Sequence, residues 1–285
     1  MLQITTAADR QQQRRHVKTL LLGASGVGKT TLATTLPADR TVVLDAEAGD
    51  LALGEWGGQV INLRQSAILS GVDGWTMARD MACLIGMPDP AAEPGQFYSQ
   101  EHFAHAQAVH MPREKLMTGI EHVFFDSLTV LSRTCLEWAA RQPEAFNKQG
   151  KADLRGAYGL LAREMIRWVT HMQHAPGIDV VIAAILDPGG EDNPSAWVPQ
   201  VAGQATSRAI KGIFDEVITM AEIDDGVNPK YRALVTGEPN PWNYPAKDRS
   251  GCLDMLEPPD LFAMIRKISA SQRKDVIQTK IPGEQ

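Results

Sequence analysis

The sequence has only three cysteines, Cys83, Cys135 and Cys252, far apart and odd in number. This excludes a disulfide scaffold and fits small buried side chains in a reducing compartment. No apolar run approaches the roughly 20 residues of a membrane-spanning helix. The opening MLQITTAADRQQQRR lacks the apolar centre of a secretory signal and reads as a polar tail. The expectation is a cytoplasmic chain with no membrane partner. No Pro-, Gly- or Ser-rich linker divides the middle, so the 285 residues favour one large α/β domain with an insertion. Nor is the chain basic. Its 28 Lys and Arg against 34 Asp and Glu leave a net charge of -6, which argues against a surface coated with nucleic acid but leaves room for a local basic groove. Arg10, Arg14, Arg15 and Lys18 cluster near the start, and Arg266, Lys267, Arg273 and Lys274 near the end; solvated tails are the plain reading of both.

What the chain does have is 44% hydrophobic residues, enough for a sizeable core, and one sharp motif. The run LLLGASGVGKTTL carries G-x-x-x-x-G-K-[ST] after an apolar strand candidate, 16–22. Gly23, Gly26 and Gly28 permit turns that a side chain would forbid. Successive N–H groups then form an anion cradle, and a helix beginning near Lys29 adds its positive end. Gly23, Ala24, Ser25, Gly26, Val27, Gly28, Lys29, Thr30 and Thr31 are the candidate nucleotide-binding run. Lys29 is placed to reach the β- and γ-phosphates, and the Thr30 hydroxyl to ligate Mg²⁺.

Two further strands end in acids. TVVL at 41–44 runs into Asp45-Ala46-Glu47-Ala48-Gly49, and HVFF at 122–125 runs into Asp126-Ser127. Acids at the ends of parallel strands face the same sheet edge as the glycine loop. Asp126 fits a Walker B acid holding Mg²⁺ with Thr30. Glu47 is a candidate for polarising the attacking water, with a solvated loop acid as the competing reading. Asp45 fits a structural role or one beside the metal.

Helices are expected over 75–85, 128–141 and 153–174, the last with Leu160, Leu161, Met165, Trp168, Val169 and Met172 on one face. Further strands are expected at 178–186, 217–221 and 231–236. Alternating strands and helices argue an α/β fold with a mostly parallel central sheet flanked by helices. Residues 1–16 read as a tail, 17–256 as the core with an insertion at about 64–120, and 257–285 as a helix and tail. Within the insertion, 86–119 is the least legible stretch and is expected to be a helical insertion or lid. His102, His105, His110 and His122 lie near one another in sequence, but a metal site needs convergent ligands, usually with cysteines or acids.

These segments together resemble the RecA/Rad-type ATPases. More closely they resemble phage nucleotide-binding proteins with a bare RecA-like core (AAA_24-like), some of which look like single-strand-annealing recombination proteins. The resemblance rests on GASGVGKTTL, VVLDAEAG, VFFDS, FDEVITM and NPWNYPAKDRSG, and spans roughly Val17 to Gly251 with little signal at 64–120. It implies a RecA-like P-loop NTPase using ATP and Mg²⁺, in the host cytoplasm if phage-encoded. It implies that Glu47, the acid of the D-x-E-x-G stretch, is catalytic. It implies that Lys247 and Arg249, in the AKDR stretch, act on a neighbouring subunit's nucleotide in a homo-oligomer. The loop over 188–208 would touch single-stranded DNA, with Trp197 stacking a base and Arg208 meeting a phosphate; Glu191 and Asp192 oppose this, and an ordinary loop competes. One departure stands out: Ala183-Ala184-Ile185-Leu186 offers no polar residue to sense the γ-phosphate before Asp187.

The function expected first is an ATPase of DNA recombination or replication. A non-catalytic, nucleotide-gated assembly or loading factor is the alternative. A small-molecule kinase is less favoured, because the 86–119 segment supplies only Arg113 for a phosphate-binding lid.

Overall fold

Consecutive apolar residues set the architecture. KTLLLG forms β1 (Lys18–Gly23), TVVLD forms β2 (Thr41–Asp45) and HVFFD forms β4 (His122–Asp126), each buried along its whole length. Strands covered on both faces read as continuous apolar runs, the mark of a parallel sheet with helices on either side. Leu20 and Leu22 point into one core cluster and Leu21 into the other. The computed structural model describes residues 16–189, 197–224, 226 and 228–270. The basic residues Arg10, Arg14, Arg15, Arg273 and Lys274 and the acids Glu191 and Asp192 lie outside the described residues.

The remaining strands are β3 (Gln59–Asn62), β5 (Asp179–Pro188), β6 (Trp197–Pro199), β7 (Glu216–Ile223), β8 (Tyr231–Val235), β9 (Lys247–Asp248) and β10 (Leu256–Glu257). The sheet order is β10-β8-β7-β1-β5-β4-β2-β3, with β6 on β5 and β9 on β7. The pairs β7–β1, β1–β5, β5–β4, β4–β2 and β2–β3 are parallel, whereas β8, β9 and β10 pair antiparallel on the β7 side. The expected mostly parallel α/β sheet is therefore present. Strand β5 separates β1 from β4, and the carboxyl ends of β1, β2 and β4 share one edge.

The helices are α1 (Lys29–Leu32), α2 (Leu63–Ser70), α3 (Gly74–Gly86), α4 (Gln100–Val109), α5 (Arg113–Met117), α6 (Leu128–Ala139), α7 (Leu154–Gln173), α8 (Gln204–Ile213) and α9 (Leu261–Ala270). Helix α7 is capped by Asp153, whose side chain accepts from Arg155 N, and it buries all six residues read as its apolar face. Helix α1 begins at Lys29, where the motif places it, and is a single turn that passes into a 3-10 turn at Ala33–Thr35. The Thr34 and Thr35 hydroxyls donate to the Thr31 and Leu32 carbonyls at 2.7 and 2.8 Å, and Pro37 follows. Such back-bonding and a proline both oppose helix continuation.

The 64–120 segment packs into the sheet's own core: Trp75, Met77, Leu84 and Ile85 of α3 are buried with Leu44 and Phe125. Two of its histidines converge on an acid that sequence spacing did not flag. His102 Nε2 and His110 Nε2 lie 2.9 and 2.8 Å from the two oxygens of buried Asp80 on α3. His102 Nδ1 accepts from Tyr98 N at 2.9 Å, so its proton is on Nε2 and donates to Asp80. Burial alone would raise Asp80; the two histidine hydrogen bonds outweigh it and hold the carboxyl low. His122 instead sits 3.1 Å from Asp179 at the start of β5. Among the described residues no group of three or more His, Cys, Asp or Glu side chains is placed to hold a metal between them. Nearby, buried Arg79 of α3 lies 3.7 Å from the Phe97 ring centre and 4.7 Å from that of Trp138 on α6, with Glu164 of α7 at 3.3 Å. No helix among the described residues is long and apolar enough to cross a membrane.

Candidate functional site

The loop leaving β1 closes around its own lysine. Gly26 and Gly28 take φ of 77° and 107°, a region open to glycine and strained for other residues. Gly23 is required for a different reason: a methyl group there would stand 2.7 Å from the Met220 carbonyl oxygen on neighbouring β7. Lys29, 7% exposed, donates through Nζ to the Gly23 and Ala24 carbonyls at 2.9 and 3.0 Å. Those carbonyls hold the ammonium over the loop, where a phosphate would take their place as acceptor. Burial lowers its pKa, against the pull of Asp126, Glu47 and Asp187.

The Walker B expectation meets the loop directly. Thr30 Oγ1 donates to Asp126 Oδ2 at 2.5 Å. Asp45 and Asp126 are Cα partners at the ends of β2 and β4, so their carboxylates are neighbours. Asp45 Oδ1 accepts from Glu47 N (2.8 Å) and Gly49 N (3.2 Å), which fixes the turn carrying Glu47. Asp45 Oδ1 thus holds the turn in place. The exposed Glu47 accepts a short hydrogen bond from the Ser127 hydroxyl, beside Asp126. Gly49 closes over the pair; a methyl group there would lie 3.8 Å from Thr30 Oγ1 and 3.9 Å from Asp126 Oδ2. Burial, with Glu47 and Asp45 adding to it, pushes Asp126 up to about 6, against the Thr30 hydrogen bond and Lys29.

These residues fit a magnesium ion. Asp45 Oδ2 is buried without a hydrogen-bond partner, and Asp126 is held against its preference for charge. One carboxylate and one hydroxyl, completed by phosphate oxygens and water, is the usual donor set for Mg²⁺, which rarely takes an all-protein cage.

The other expected site residues lie elsewhere. Lys247 and Arg249 belong to the β9 segment, where Val217 is the partner of Lys247 and Glu216 that of Asp248. Glu216 also opposes Thr19 near the start of β1, so this is the sheet edge away from the loop. Lys247 Nζ donates to Lys211 O at 3.2 Å, and Arg249 Nη1 to Asp215 Oδ1 at 2.6 Å. Burial, then the nearby Asp248, pushes Glu216 up to about 8. Within one chain these two cations do not join Lys29 and Glu47. Trp197 on β6 donates to Trp242 O at 3.2 Å and packs on Tyr244, ring centres 4.8 Å apart. Arg208 is exposed on α8, which Ser207 ties to β6 through Pro199 O at 3.2 Å. Asp187, near the end of β5, is close enough to Lys29 for its charge to favour the ammonium, after Asp126 and Glu47. Sequence reasoning missed Arg232 on β8, whose Nη1 stands 3.2 Å from where a methyl group on Gly28 would be. No spacing rule flags an arginine that reaches a loop 200 residues earlier in the chain.

A cavity of about 780 Å³ between α7 and the 86–98 segment, lined by Met87, Tyr98, Arg163, Ile166 and Arg167 among others, contains none of these residues. The nucleotide signature is in the open loop edge instead.

The family model described as AAA_24, an AAA domain, matches residues 15–250. No curated protein matches the chain. Among solved structures it is similar to the RadB recombinase, at 14% identity over 77% of this chain and 79% of that one, with a TM-score of 0.32. It is similar to an ATPase from the type III secretion system of pathogenic bacteria (14%, 72% of this chain and 52% of that one, TM-score 0.35). It is also similar to the cytoplasmic domain of the Thermomonospora curvata type VII secretion ATPase EccC (14%, 79% and 23%, TM-score 0.30). The chain spans about half of the second protein's length and about a quarter of the third's.

A carboxyl near 6 when folded and 3.8 otherwise adds stability that is complete below 3.8 and lost as pH rises through 6. Asp126→Asn is therefore expected to make the nucleotide-free protein more stable than the parent at pH 8, by about 1–3 kcal/mol. The gain should shrink as pH falls towards 4. Urea unfolding across that range checks it; a variant less stable at pH 8 contradicts the assignment.

Proposed function

The chain belongs to the AAA_24 family of AAA domains and has a RecA-like P-loop ATPase core, and on that premise we propose that it hydrolyses ATP with magnesium in DNA recombination or replication. The Thr30–Asp126 hydrogen bond beside Lys29, with Glu47 next to it, is the observation that carries the reading. Lys29 exchanges its loop carbonyls for phosphate oxygens. The amides of 24–31 hold the remaining charge, and Thr30 and Asp126 would hold the metal ion. When bound, Mg²⁺ neutralises charge that develops between the β- and γ-phosphates. Glu47, freed from Ser127, accepts a proton from the attacking water or orients it. Arg113, which a kinase lid would need, is occupied with the Ile85 carbonyl at 3.4 Å, which disfavours the kinase reading.

The link to single-stranded DNA is supported by β5. This strand is Gly23's neighbour at Ile185 and pairs with β6 from Leu186 to Pro188. Asp187 therefore lies both in reach of Lys29 and opposite Val198, next to Trp197. A shift of the lysine on nucleotide binding is transmitted along one strand to the segment that carries Trp197 and is tied to α8 with Arg208. Lys247 and Arg249, on the opposite sheet edge, support head-to-tail assembly. Only a neighbouring copy stacked edge to edge brings them to a nucleotide, and such heterologous contacts build rings or filaments. A nucleotide-gated assembly factor without turnover remains the alternative and is distinguished by the first test below.

Glu47→Gln is expected to slow single-turnover hydrolysis by about 10²–10⁴-fold, the usual size of general-base removal, while ATP affinity is retained; equal rates remove Glu47 from the role, and a parent protein without turnover favours the assembly factor. Arg208→Ala should lower the salt slope of ATP-dependent single-strand binding by about one. The same slope in both proteins, or no binding by the parent at low salt, ends the DNA reading. Mixing Lys29→Ala protein with a Lys247→Ala/Arg249→Ala variant should restore turnover that neither has alone, because sound halves of two sites meet at one interface. No recovery counts against shared sites.

A further inference from the structure

The direction in which a triphosphate lies along the loop follows from what stands on each side of β1. On the β5 side are Asp126, Glu47 and Asp187, all acting on Lys29. Groups that hold a metal ion and a water serve the γ-phosphate, so the γ end points towards β4 and β5. The α-phosphate and nucleoside then leave on the other side, over β7 and β8.

Arg232 waits on that side. Its Nη1 and Cζ stand 3.2 and 3.8 Å from where a methyl group on Gly28 would be, beside the Met220 methyl at 3.4 Å. Arg232 is exposed, and Glu222 lies directly opposite it on β7. Directly opposed residues of an antiparallel pair share a face, and opposite charges there ordinarily meet. These two described residues form no ion pair; the guanidinium passes its cross-strand acid and lies on the glycine loop instead. Its planar fork of donors suits two phosphate oxygens at once.

We propose that Arg232 is a nucleotide-binding residue that grips the α- and β-phosphates from the nucleoside side of the loop, within the same chain that supplies Lys29. The proposal rests on the nucleotide-binding reading above. It divides the loop's work: Lys29, Thr30 and Asp126 hold the reacting end of the nucleotide, and Arg232 anchors the end that does not react. A group that touches only the unreactive phosphates strengthens binding of substrate and product alike and leaves the chemical step alone.

The test is calorimetric binding of ATP and ADP, each with Mg²⁺, to the parent, Arg232→Ala and Arg232→Lys, together with single-turnover hydrolysis at saturating ATP. Arg232→Ala should weaken both nucleotides by a similar factor, about ten- to a hundredfold for a lost charge-assisted hydrogen bond. Arg232→Lys should recover part of the loss, and the saturated hydrolysis rate should stay within about threefold of the parent. Because the side chain is exposed, an unchanged melting temperature without nucleotide verifies the fold. Unchanged affinity for both nucleotides overturns the proposal. So does a loss confined to ATP, which would put the guanidinium at the γ end. A parent protein that binds neither nucleotide would instead overturn the nucleotide-binding reading itself.

Discussion

One hydrogen bond, from the Thr30 hydroxyl to the Asp126 carboxylate, marks the point on which the site depends. The two residues are 96 apart in sequence, and only the parallel order of β1, β5 and β4 brings them together. Because every strand of that set runs the same way, each contributes whatever follows its last buried residue to one shared edge. The glycine loop, the Asp45 turn with Glu47, and Asp126-Ser127 are three such endings. The sheet also keeps Asp126 short of water, so its charge is uncomfortable without a cation.

Much of this was legible in the residues. Strands β1, β2 and β4 announced themselves because strands buried on both faces must be apolar throughout, and the acids ending two of them stand out against that background. Helix α7 was legible because its six buried residues repeat with the helical period. Other features were hidden for physical reasons. Strand β3 is an edge strand with exposed Gln59 and Val60, so it carries no apolar run. Helix α1 stops early because threonine hydroxyls bond back to the chain, which a motif match does not reveal. Asp80 is an acid within an amphipathic helix pattern, and only the folded positions of His102 and His110 show why it is buried. Arg232 reads as an ordinary exposed strand residue, since nothing local records that Gly28 lies beside it. The AKDR segment was found by resemblance, and its place on the far edge was beyond any local pattern.

The two ends of the sheet carry different sets of charged groups. Its loop edge gathers Asp45, Glu47, Asp126 and Asp187 around a single buried lysine. The far edge holds Lys247 and Arg249, steadied by the Lys211 carbonyl and Asp215. The two cations at that edge are already engaged within the chain, beside the acids Asp215, Glu216 and Asp248.

Arg79 shows what this does to the way the helices come together. Its guanidinium is enclosed by the ring of Phe97, the ring of Trp138 and the carboxylate of Glu164, which belong to three separate stretches of chain. A buried cation is tolerable only when its surroundings are complete. Partial assembly of this layer leaves the charge exposed to apolar walls with no counterion, so the last piece to arrive is stabilised by all the others. The 86–98 stretch, easily mistaken for ornament added to a finished ATPase, is in effect the keystone of its helical shell, and a version of the protein trimmed there would lose more than the residues removed.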